Sequence, residues 1–376
     1  MRKSFSGFVG SLLLLPAAAA GAAELPADRF GPADLARLAA VGEPAFAPDG
    51  ESIVYTVTVT NATEDKQQSD LWRVGYDGRD RMQVTSTPKH DESAPAWSPD
   101  GRWLAFLSDR GDEDAQTQVW AMPAGGGEAR VLTNLPGGVD DFQWSPDSQR
   151  LAVIASDPER PAGTPKPKNP LPIVTERWQF KKDVDGYLDA HRSHLYVHDI
   201  ARSEAMQITS GDHDEALPAW SPDGRQIAYI TRRGGEPDRH SNFDIYLVEP
   251  RAGATERRLT TFEGADNDPD LESPISWSPD GRQLAFVQGG EDKWIYYAPH
   301  QLAIVDVATG STRLPAPVDR WFTQPRWSPD GRSVLALVEQ SRVINLSRID
   351  VASGKVTPLT TGPRYDAGFA VSKQGR

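Results

Sequence analysis

An all-β fold, a β-propeller of four-stranded antiparallel blades, is predicted by three observations. The phrase Trp-Ser-Pro-Asp-Gly and its close variants recur along the 376 residues. Each copy is followed by a short unbroken apolar run. Further strand-like segments then follow, the last ending in Leu-Thr or its like, so that one unit of about fifty residues repeats around a ring.

The copies begin at Phe46, Trp97, Trp144, Trp220, Trp277 and Trp327, at steps of 51, 47, 76, 57 and 50 residues. The long step marks an insertion in the third unit. The apolar runs are Ile53 to Tyr55, Leu104 to Leu107, Leu151 to Ile154, Ile227 to Ile230, Leu284 to Val287 and Val334 to Leu337. Unbroken rather than alternating apolarity means that both faces of a strand are covered, as they are when sheets stack face to face. Gln118 to Met122, Asp244 to Val248 and Gln301 to Val305 supply later strands of their units. Outer segments end at Thr85, Thr133, Thr209, Thr260 and Thr360.

In Ser-Pro-Asp-Gly, proline pre-sets φ, the aspartate side chain caps the turn and glycine supplies a positive φ. Asp100, Asp223, Asp280 and Asp330 are therefore read as turn residues, and the preceding tryptophan as filler between blades. Catalysis does not need the same acid in every blade. Six blades are expected complete. Phe369 to Arg376 repeats the phrase in outline, with Val371 in the tryptophan place, so the start of a seventh is expected from about residue 361; the alternative is a six-bladed propeller whose last residues form a closing strand. The propeller is expected to span 45–376, after a helical leader over 24–44.

Arg2 and Lys3, the apolar run Phe8 to Leu15, and the small residues Ala17 to Ala23 read as a signal peptide over 1–23. The expected location is periplasmic or secreted, with no membrane span after cleavage. A net charge of -13 argues against a general nucleic-acid or anionic-membrane partner and favours a cationic or neutral one. With no cysteine there is no disulfide and no lipid-anchor thiol.

One rim of the ring carries the tight turns, and the other carries the long loops 61–69, 109–117, 157–193, 232–242 and 289–299. Function concentrates on such loops. Within the 157–193 insertion, Arg177, Lys181 and Tyr187 are candidates for reaching a substrate carboxylate or a facing domain; the alternative is a solvated loop. His191, His194 and His198 have metal-like spacing but no defined fourth ligand, and no metal or cofactor is expected. Asp266 to Glu272 resembles the start of a calcium loop but has Leu271 where that loop needs glycine. His90-Asp91-Glu92 and His213-Asp214-Glu215 sit in equivalent connections and read as turn-stabilising elements of the unit, the alternative being the lining of an acidic mouth.

The leader Phe30-Gly-Pro-Ala-Asp-Leu35, the repeated phrase with its TolB-like character, and Pro172 to Val197 together resemble the propeller part of prolyl-oligopeptidase-family serine peptidases. The likeness lies in the acylaminoacyl-peptidase or dipeptidyl-peptidase branch. That resemblance implies a Ser-Asp-His triad in a following α/β-hydrolase domain, peptide substrates met through that domain, and a propeller that screens them. The sequence holds no Gly-x-Ser-x-Gly elbow, so no catalytic residue is assigned. The expectation is the substrate-gating half of an exported peptidase, inactive alone, cut short of its hydrolase domain. Two rival readings remain: a TolB-like interaction propeller without an active site, and a metal-dependent propeller enzyme. An incomplete ring is also expected to expose sheet faces and to aggregate.

Overall fold

The computed structural model describes residues 30–112, 115–158, 169, 172–183, 186–294 and 297–375. These form six four-stranded antiparallel sheets, each built from strands consecutive in the chain apart from one inserted hairpin. The blades span residues 39–83, 92–131, 139–207, 215–258, 276–313 and 322–358. Among the described residues there is no α-helix, only four short 3₁₀ segments. The signal-peptide stretch 1–23 lies outside the described residues. The expected helical leader is corrected: a 3₁₀ turn occupies Pro32–Arg37, and from Ala39 the chain is already the first strand, pairing with Val59 in the second.

Five apolar layers separate successive blades, and they explain the unbroken apolar runs. Leu104 and Phe106 point back into the layer with Val54 and Leu71 of blade one, while Ala105 and Leu107 point forward to Val139, Phe142 and Trp144 of blade three. The same division recurs at the later boundaries. Fully covering a side chain such as Phe106 or Phe286 contributes about 1.5–3 kcal/mol. Blade one lacks a comparable layer on its other flank among the described residues; Val41 is 65% exposed there and Val59 44%.

The repeated phrases share one turn, and the five copies that carry serine share its hydroxyl bonds as well. Ser98 Oγ donates to Asp100 Oδ1 at 2.6 Å and accepts from Trp103 N at 3.0 Å, and Arg102 N donates to the same carboxylate at 3.1 Å. Gly101 N closes the turn on Ser98 O at 2.8 Å. Glycine holds φ near 70° in five copies, and Ser148 takes the same left-handed shape in the third. The tryptophans join blades. Trp144, Trp220 and Trp277 donate their indole N–H to the carbonyls of Ala96, Gln143 and Ala219, each in the preceding blade, at 3.0–3.2 Å.

A second repeating device sits at the opposite rim. The hydroxyls of Thr85, Thr133, Thr209, Thr260 and Thr360 each accept a third-strand N–H of their own blade at 2.9–3.0 Å. Thr209 then donates to Glu215 Oε2 at 2.6 Å, across the boundary to blade four. Glu92 is buried at the boundary of blades one and two, where Arg110 Nε donates to it at 3.0 Å. The two His-Asp-Glu connections therefore act between blades rather than within a turn.

Residues 361–375 continue both devices without a paired strand. Thr360 donates to Asp366, which also accepts from Leu346 N at 3.1 Å. Gly375 N closes on Ser372 O at 2.9 Å, as in the other turns. Lys373 Nζ donates to Pro99 O at 2.9 Å and Gln374 Nε2 to Asp49 O at 3.3 Å, tying this last turn to blades two and one.

Candidate functional site

The second strand of blade three ends at Ser156 and the third begins at Ser193, so the described residues between them stand on the loop rim. The described part of the insertion is anchored at both ends on one carboxylate. Arg177 Nη2 donates to Asp214 Oδ2 at 3.0 Å, and Arg192 Nη1 donates to the same oxygen at 3.1 Å. Arg177 also makes a two-bonded fork with Asp238 of blade four, both contacts at 3.0 Å, with side chains only 10% and 6% exposed. Such a fork matches guanidinium to carboxylate geometry and is stronger than a point contact. The Asp238 carboxyl is held below its usual range, first by the Arg177 hydrogen bonds and then by the nearby charges of Arg177, Arg192 and Arg232.

From this base a short hairpin, Lys181–Lys182 against Gly186–Tyr187, reaches across the rim. Lys182 Nζ meets Asp270, in the connection between blades four and five, at 3.4 Å, and Arg239 stacks on Trp178 at 4.2 Å. Beneath it lies a cavity of about 980 Å³. Its apolar wall comes from Leu217, Ile230, Phe243, Leu271 and Trp321, the last stacked on His300 at 4.2 Å. Asp140, Asp141, Asp214, Asp268, Asp270 and Glu291 also line the cavity. Arg177, Lys182 and Arg232 line it too, but each is already paired with a carboxylate.

The electrostatics follow from that imbalance. Burial pushes the Asp141 carboxyl up to about 7, with the Phe142 N–H pulling against it and the Asp140 charge reinforcing it. Burial likewise raises Asp268. The opposite holds at Glu215, which lines the same cavity. Burial alone would raise Glu215, but hydrogen bonds from His194, His213 and Thr209 hold it at about 2.

Of the residues singled out in the sequence, Arg177 lines the cavity while buried in its ion pairs, and Lys181 and Tyr187 stand on the hairpin. Lys181 Nζ lies 5.9 Å from the Tyr187 ring, which is exposed. The three histidines part company: His191 meets Asp189 at 2.7 Å, His194 meets Glu215 at 2.9 Å, and His198 is buried with neither ring nitrogen partnered. Among the described residues no group of three or more His, Asp or Glu converges as a metal site. In the calcium-like stretch, Asn267 bridges Ser273 O and Val287 N, and Asp268 caps Asp270 N, so these side chains serve the loop's own backbone. Asp214 lines the cavity, as the acidic-mouth alternative has it, whereas Asp238 is a site residue that sequence reasoning does not single out. The only sequence signal for it was acidity in a connection equivalent to those of other blades.

Comparison with known proteins agrees with this architecture. The chain is 28% identical over 399 residues to a dipeptidyl-peptidase 5 of Porphyromonas gingivalis, covering 98% of this chain and 55% of the relative. It is 31% identical over 220 residues to an uncharacterized peptidase, YuxL, of Bacillus subtilis, covering 57% of this chain and 33% of the relative. The chain thus spans about half or less of the curated relatives it matches. An acylaminoacyl peptidase structure from Pyrococcus horikoshii superposes with a TM-score of 0.65 at 18% identity, over 89% of this chain and 48% of that one, which shows the shared fold. A family model described as the TolB beta propeller domain matches residues 37–162 and 186–376, and the chain belongs to that family.

Proposed function

We propose that this chain is the substrate-gating propeller of an exported serine-type peptidase, of oligopeptidase, acylaminoacyl- or dipeptidyl-peptidase type. It would act on peptides together with a hydrolase domain that it does not itself contain. The observation that carries the reading is the match to a dipeptidyl-peptidase 5 along 98% of this chain but 55% of the relative. Export rests on the signal-like residues 1–23, and no described helix is long and apolar enough to cross a membrane.

In this reading the loop-rim cavity is the antechamber. Lys181 and Tyr187, on a hairpin over its mouth, meet the peptide, and Arg177 holds the hairpin's base while presenting charge to the cavity wall. The excess of acids over bases in the cavity lining favours peptides carrying positive charge, in keeping with the chain's acidic balance. A second reading, a propeller that binds a protein partner and has no active site, is favoured by the family match alone.

One experiment separates them. In cells of the source organism, a serine-directed fluorophosphonate probe should label a species larger than this chain that an antibody against the propeller recognises. An antibody-reactive species of this chain's size only, without label, overturns the peptidase reading. This chain by itself should take no label.

A further inference from the structure

The boundary between blades one and two holds two acids where the equivalent boundary between blades three and four holds a base and an acid. At the latter, His194 Nδ1 meets Glu215 Oε2 at 2.9 Å, and Arg233 Nη2 meets Glu215 Oε1 at 3.4 Å. At the former, the place of His194 is taken by Asp70, within hydrogen-bonding reach of Glu92. Glu92 is fully buried; its Oε1 accepts from Arg110 and Ser108, but its Oε2 has no partner. Asp70 Oδ1 is likewise buried without a partner. Two ionised carboxylates are acceptors only and cannot satisfy each other. One proton placed between them gives both orphan oxygens a partner at once.

We propose that Asp70 and Glu92 share a single proton across the first blade boundary, and that this proton is a pH-operated latch on the ring. Glu92 Oε2 carries it and donates to Asp70 Oδ1, leaving Oε1 free for Arg110. The charged groups around the pair are few. Arg110 comes from the end of blade two's second strand, and Asp91 lies in the connection, where it accepts Ser69 N at 2.8 Å. Asp109 is engaged by Asp91 N at 3.0 Å and by His90 at 3.3 Å. Burial raises both carboxyls of the pair, each against opposing hydrogen bonds, so the proton is held to higher pH than either acid holds it in water.

When the proton leaves, two buried negative charges share one arginine and repel across the boundary. Blade one is the blade this loosens most, because among the described residues its other flank carries no apolar layer and is held by the turn at Ser372–Gly375. The acids' folded-state affinity for the proton exceeds the unfolded one, so this contribution to stability is present at low pH and lost as pH rises.

The test compares the full chain with Glu92→Gln, whose amide supplies a permanent donor to Asp70 while its carbonyl still accepts from Arg110. Melting temperature is followed from about pH 5 to about pH 8, together with hydrogen exchange of Ala39–Phe46. The wild type should lose on the order of a few degrees relative to the variant as pH rises, with exchange of that strand quickening only in the wild type. Titrations elsewhere are common to both proteins and cancel. Asp70→Asn, which donates in the opposite direction, should flatten the difference in the same way. Near neutral pH the wild type should show a protonated-carboxyl stretching band over and above that of other buried acids such as Asp141, seen as a loss in the difference spectrum of each variant. Parallel melting profiles, or no such band, would overturn the proposal.

Discussion

Trp277 donates its indole N–H to the carbonyl of Ala219, 3.0 Å away in the preceding blade. Since the indole also fills the layer between blades four and five, one side chain both spaces and orients two sheets. Trp277→Phe keeps most of the filler and removes the donor. It should cost about 1–2 kcal/mol, read as a lower urea midpoint with an unchanged slope.

Glu215 gathers His194, His213, Thr209 and Arg233 at a site cut off from water. Its folded carboxyl titrates at about 2, below the ordinary glutamate value, so its stabilisation is present above the unfolded value and lost as pH falls from about 4 towards 2. Glu215→Gln leaves its cationic partners without their counter-charge and should cost about 3–5 kcal/mol near neutral pH. The difference from wild type should shrink on acidification, which a pH series of denaturation curves measures.

His198 offers the reverse case. It is buried with both ring nitrogens unpartnered, and burial pulls its proton affinity below the ordinary histidine value. A base depressed in the folded state costs stability as pH falls below the unfolded value, because unfolding then takes up a proton. His198→Phe removes that liability and should raise the melting temperature more at about pH 5 than at about pH 8.

Arg177→Ala should release the insertion without unfolding the ring. Asp238 would be left buried with Arg232 as its nearest remaining cation. Limited proteolysis should shift to residues 172–193 while the main melting transition moves little. Arg177→Lys should not rescue protection, because a lysine cannot form the two-bonded fork.

The uncovered flank of blade one predicts association between copies of this chain. Val41→Lys together with Val59→Lys should reduce light scattering on concentration. Neither residue contributes to the apolar layers, so cooperativity of melting should be retained.

The blades were legible in the sequence because their signals are local: a five-residue turn, a run buried on both faces, and a Leu-Thr ending. Proline, aspartate and glycine at fixed places carry the turn's geometry whatever surrounds it. The junctions were half legible. His-Asp-Glu recurs visibly, but the threonine that donates to Glu215 and the arginine that pairs with it lie in different connecting segments, so burial between blades left no mark in the spacing. The site was least legible. Arg177 stands out as charge in a loop, yet its partner Asp238 lies 61 residues on, and only folding shows that the pair is closed to water. The leader misled because a proline-capped 3₁₀ turn and the start of a helix share the same opening residues.

Arg177 and Arg192 end on the same oxygen of Asp214, so the segment between them leaves the scaffold and rejoins it at almost one point. A loop closed in that way is a socket. Its contents can be lengthened, shortened or replaced without asking blade three to change register. Grafting a foreign hairpin between residues 178 and 191 is therefore the least disruptive way to give this ring a new specificity, and loop exchange at this place a ready route by which related rings could diverge.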